Sequence, residues 1–208
     1  MSYTDYLNEV KEKFAKCYEV AGHARQSGID PSKNTEIIPA EDVASRVEGL
    51  VGPVGIAQHI GELVKTGATR EAIVVQISDE ILEGKWPCTT LCGAVDEREI
   101  KIEQAVRTGL ALYTEGVVSA PIEGVVKLKL KKNSDSSEYL SVYFSGPIRG
   151  AGGTGQAFTL LLADYCRNKM GVSNYRPLEV EVDRYVEEIN LYSIKTRAGQ
   201  YTPTEDEV

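Results

Sequence analysis

The chain is poor in the features that mark specialised protein classes. It has four cysteines among 208 residues, Cys17, Cys88, Cys92 and Cys166, too scattered for the disulfide framework of a small secreted domain. Cys88 and Cys92 form a C-x3-C pair, but no second cysteine or histidine pair follows at a spacing that would complete a zinc site. The two histidines, His23 and His59, stand far apart and read as structural residues. No apolar run approaches the roughly 18 residues that a membrane span needs. The N-terminus is charged and amphipathic, without the short apolar core of a secretory signal. These absences point to a cytoplasmic protein with free thiols and no membrane partner. Excess basic charge is lacking too. With 23 Lys and Arg against 31 Asp and Glu, the net charge is -8, which excludes a chain that coats nucleic acid along its whole surface. No internal repeat or low-complexity tract occurs.

What remains is ordinary globular material, 42% hydrophobic and 26% charged, long enough for one large domain or two small ones. Residues 3 to 26 carry Tyr3, Tyr6, Leu7, Val10, Phe14, Cys17, Tyr18 and Ala21 at three- and four-residue steps, one apolar stripe on a long helix that Gly28 can stop. The stripe belongs either to the chain's own core or to a docking surface. Tyr6, Val10, Phe14 and Tyr18 are the candidate contacts for a partner chain or a second copy. Residues 40 to 66 predict two short helices broken at Gly52-Pro53, with the proline in the first turn of the second. Thr69 starts a helix whose stripe Ile73, Ile77, Ile81 and Leu82 runs to Gly84. Residues 86 to 93 read as a linker or lid, and 96 to 115 as another helix.

After Gly116 the period changes to two. Val126, Leu128 and Leu130 alternate with Lys127, Lys129 and Lys131, followed by Lys132 and a polar turn. Leu140, Val142 and Phe144 then alternate with Tyr139, Ser141 and Tyr143, which completes an antiparallel hairpin. The lysine and tyrosine face suits a nucleic-acid backbone and its bases, and equally the solvated side of a sheet. Next come Arg149, Gly150, Gly152, Gly153 and Gly155 before an apolar helix from Ala157 to Met170. Gly150, Gly152 and Gly155 match the dinucleotide fingerprint in form, but the strand before them belongs to a hairpin and no acidic residue ends a second strand beyond them. The low bulk beside Arg149 still suits close approach of a phosphate or of another backbone. A last helix starts near Pro177, and the final residues read as the cap of a further helix.

The stretches 115–124 (EGVVSAPIEG) and 143–154 (YFSGPIRGAGGT) resemble the large subunits of archaeal family D DNA polymerases. Collinear with them are 24–31, 46–52, 163–167, 179–191 and 200–205, so the likeness covers nearly the whole chain. The resemblance implies the N-terminal part of a much longer polymerase subunit. It implies an α+β fold, with a helical assembly region over 1–95 followed by a KH-like α/β domain over 96–208. It implies a small exonuclease subunit as partner, DNA bound through the full enzyme, and Mg2+ at a polymerase centre outside these residues. Lys127, Lys129, Lys131, Lys132, Arg149, Gly150, Gly152 and Gly153 are then candidate nucleic-acid contacts, and no catalytic or metal-binding residue is expected here. Two other classes fit the residues alone, a nucleotide-binding enzyme at the glycine loop and an autonomous nucleic-acid-binding module.

Overall fold

The computed structural model describes residues 2–29, 40–88, 96–115, 124–145, 153–196 and 203–207. Its fold is α+β, with two compact units, Met1–Glu41 and Asp42–Val208.

Among its described residues, the first unit holds one helix, α1 (Tyr3–Gln26). Ser2 caps it. The Ser2 hydroxyl accepts from the Asp5 N–H at 3.2 Å, while the Asp5 carboxylate accepts from the Ser2 N–H at 2.8 Å. The chain leaves the helix through Gly28 at φ +69°, a conformation that costs glycine little. No residue of α1 is buried.

The second unit is built around α5 (Glu97–Tyr113), which packs against α4 (Arg70–Leu82), α2 (Val43–Leu50), β1 (Val125–Lys132) and α6 (Gly153–Lys169). Its residues from Ile102 to Leu112 are all buried, which makes it the central helix. The stripe Ile73, Ile77, Ile81 and Leu82 of α4 faces the same core, as its spacing requires. Cys166 of α6 is core as well, and burial pushes its thiol up to about 12. Residues 89–95, including Cys92 and most of the expected linker, lie outside the described residues, and α4 and α5 on either side of them share one core.

Pro53 sits differently from the expectation. α3 (Ile56–Lys65) begins three residues later, behind Gly55 at φ +89°, and the Pro53 carbonyl accepts the Ile56 N–H at 3.2 Å. The left-handed glycine reverses the chain, and the Glu48 carboxylate of α2 caps the new helix by accepting the Ala57 N–H at 2.7 Å. His59 is held in turn, its Nε2 2.9 Å from the Glu80 carboxylate, which also accepts from Trp86 and Gln76. Burial pushes Glu80 up, but these donors outweigh it and leave its carboxyl below the usual range.

α6 and α4 both pack closely on α5 at Gly109. A Cβ there would lie 2.5 Å from Leu162 Cδ2 and 3.1 Å from Val74 Cγ1, so two helices depend on its missing side chain. Gly109→Leu is expected to destabilise by about 2 kcal/mol or more through overpacking, read as a lower urea midpoint at unchanged slope. An unchanged midpoint would show that the crossing can open without cost.

Candidate nucleic-acid interface

β1 and β2 (Glu138–Phe144) form the expected antiparallel hairpin. Its register sets Lys127 opposite Tyr143, Lys129 opposite Ser141, Lys131 opposite Tyr139 and Lys132 opposite Glu138. Directly opposed residues of such a pair share a sheet face. Lys127, Lys129 and Lys131 therefore stand with the tyrosines, with Lys132 on the other face, while Leu128 is buried and Leu140, Val142 and Phe144 pack against the core. The Lys127 ammonium lies 4.7 Å from the centre of the Tyr143 ring and that of Lys131 5.1 Å. A hydrogen bond with Lys131 lowers the Tyr143 phenol below its usual range, and the same bond raises the lysine. The acids at the turn end are engaged elsewhere: Glu138 holds Arg98 at 2.8 Å, and Asp135 holds Arg176 at 2.5 Å. The result is a compact cationic face with two tyrosine rings on it.

One part of the alternation differs from the expectation. The pairing slips between Val125 and Lys127, so Val126 is a bulged residue without a partner on β2. Val125 takes the buried place and Val126 is 43% exposed. The Val126 carbonyl is met from α5, where Arg107 donates to it through Nη2 at 3.0 Å. Four residues earlier on that helix face, Glu103 accepts from Arg107 Nε at 2.9 Å, and four earlier again Glu99 accepts the Leu130 N–H at 2.7 Å. A charged column on α5 thus satisfies one edge of the sheet from within the core. The apolar positions of α5 do not reveal this column. The four-residue spacing of Glu99, Glu103 and Arg107 is the signal for it in the sequence.

The far end of the hairpin is clipped to the chain beyond α6. The buried Asn133 side chain donates to the Asn174 carbonyl at 2.9 Å and accepts the Arg176 N–H at 2.9 Å. Tyr175 thereby meets Tyr139 with ring centres 4.7 Å apart, which extends the aromatic surface by a ring that the hairpin pattern alone does not contain.

Arg149, Gly150 and Gly152 lie outside the described residues, and Gly153 is the first residue of α6. The structure therefore brings together Lys127, Lys129 and Lys131, sets Lys132 with Glu138 on the other face of the hairpin, and does not describe the relation of these lysines to the glycine loop. On α1, Tyr6 and Phe14 are 52% and 49% exposed, and Val10 and Tyr18 are half-buried. α7 (Glu179–Thr196) carries a second exposed apolar set, Val180, Tyr185, Leu191 and Tyr192 among it.

Comparison with known proteins identifies what this arrangement is similar to. The model of the family described as "DNA polymerase II large subunit DP2, N-terminal" matches residues 5–208. A DNA polymerase II large subunit of Methanothermobacter thermautotrophicus is 48% identical over 204 residues, 98% of this chain and 18% of that protein. The one of Pyrococcus horikoshii is 47% identical over 206 residues, 98% of this chain and 14% of that protein. In Thermococcus kodakarensis the figures are 44% over 205 residues, 98% and 11%. The chain thus spans less than a fifth of the length of these relatives.

Proposed function

The chain belongs to the N-terminal family of the DNA polymerase II large subunit, and from that premise we propose that these residues serve a DNA polymerase as an assembly and scaffold region. α1 is the observation that carries this reading. It is a capped helix of 24 residues whose apolar stripe leaves Tyr6 and Phe14 about half exposed and buries nothing completely. Burying a side chain of this size stabilises an interface by roughly 1.5–3 kcal/mol, so such a stripe is worth keeping when another chain covers it. The partner on this reading is the small subunit, bearing the 3′–5′ exonuclease. DNA, held by the assembled enzyme, runs along the lysine face of the hairpin.

The polymerase centre and its Mg2+ are assigned to the remainder of the large subunit. Among the described residues, no three His, Cys, Asp or Glu side chains converge as a group that could hold a metal ion.

Phe14→Asp tests the assembly role. It should weaken association of the large subunit with the small one about tenfold or more, measured by light scattering, with the circular dichroism of the chain preserved. Undiminished association would remove α1 from the interface. Loss of the helical signal would assign the stripe to the chain's own core.

A further inference from the structure

The apolar positions of α1 do more than recur on one side. Tyr3, Leu7, Val10, Phe14, Cys17, Ala21 and Ala24 follow one another at alternating steps of four and three, without interruption, along the whole helix. A mean spacing of 3.5 residues is the repeat of a left-handed coiled coil, since a straight helix of 3.6 would drift away from its partner by about 20° per heptad. A helix that only covers a globular core has no need of so strict a repeat.

The residues beside this seam are cationic. Lys11 and Arg25, with Tyr18 between them, follow seam positions on one side, and Lys13 lies between Tyr6 and Val20 on the other. None of the four acids of α1, Asp5, Glu9, Glu12 and Glu19, occupies a flanking position. The Lys11 and Lys13 side chains are 65% and 70% exposed. They pair with Glu41 at 2.9 Å and with Glu9 at 2.7 Å, surface pairs that exchange at little cost. A second copy of α1 offers no acid to these rows in either orientation. In the antiparallel one, the register that sets Lys13 against Lys13 also sets Lys11 against Lys11.

We infer that α1 is one strand of a heterotypic coiled coil whose other strand is a helix of another chain with Glu or Asp at its flanking positions. The inference rests on the assembly reading above and adds the partner's chemistry and the mode of docking. Flanking charges of this kind set partner choice more than affinity, because wrong partners place like charges together.

The probes are two synthetic peptides of about 28 residues with one Leu/Ile seam, one carrying Glu and the other Lys at every flanking position. Binding to the full 208-residue chain is read by fluorescence anisotropy. The Glu peptide should bind about tenfold tighter at low salt, and the gap should narrow severalfold near 1 M salt. Lys11→Glu with Lys13→Glu should invert the preference, and Phe14→Asp should weaken both peptides alike. Equal binding of the two peptides, or a preference that survives the double charge reversal, overturns the inference. So does self-association of the chain that neither peptide competes away, which would make the occupant a second copy. None of these outcomes touches the Phe14→Asp result with the small subunit, so the wider assembly reading stands or falls separately.

Discussion

Arg107→Met is expected to lower the stability of the chain by about 3–5 kcal/mol, because it strands a carboxylate in the core. Arg107 and Glu103 are 2% and 4% exposed and meet at 2.9 Å. Glu103 Oε2 has no donor among the described residues, so this carboxylate relies on the one guanidinium. The same guanidinium also serves the Val126 carbonyl at the bulge. Replacing both charges, Glu103→Leu with Arg107→Met, removes the stranded carboxylate and should recover much of the loss. It should not recover all of it, since the Val126 carbonyl still lacks its donor, a debit of about 1–3 kcal/mol. Urea unfolding of the two single variants and the double variant measures the coupling directly. Hydrogen exchange of the β1 amides should accelerate in the single variant more than that of the α4 amides. If the double variant is no more stable than the single, the pair is not what holds this site, and packing around α5 is.

The second large effect concerns DNA. Replacing Lys127, Lys129 and Lys131 by serine should weaken DNA binding by the assembled polymerase to a similar extent across sequences. A lysine meets phosphate as a point charge and reads no base. The salt dependence of log K should flatten by up to about 0.9 for each phosphate that these lysines no longer neutralise on duplex DNA. Thermal stability should change little, because the side chains project from the solvent side of the sheet and give up mainly their weak attraction to the Tyr143 ring. An unaltered salt slope in the triple variant would make this a solvated sheet face and nothing more. Tyr143→Ala separates the two components of the surface: it removes a stacking ring and should cost single-stranded binding more than duplex binding.

Residue period suffices where one element settles its own pattern. The extent of α1, the α4 stripe and the face shared by Lys127, Lys129 and Lys131 with Tyr139 and Tyr143 follow from spacing, because neighbouring side chains on a helix or strand are placed by the backbone itself. The family likeness is legible too, through collinear stretches that no single motif supplies. Boundaries governed by φ are less so. Gly55 rather than Pro53 decides where α3 starts, since one positive-φ residue redirects the chain whatever proline allows nearby.

By itself, the sequence determined the elements, the amphipathic stripe of α1 and the pairing of lysine with tyrosine on the hairpin, all of which depend on residues close in the chain. Only the tertiary structure decided that Val126 bulges, that Glu99 and Arg107 reach the sheet from α5 with Glu103 holding Arg107, that Gly109 must stay bare and that Tyr175 joins Tyr139. Each of these is a contact between segments distant in sequence. Its energy comes from desolvating a charge, filling a volume or satisfying a carbonyl that another segment happens to present, and no local pattern carries that information.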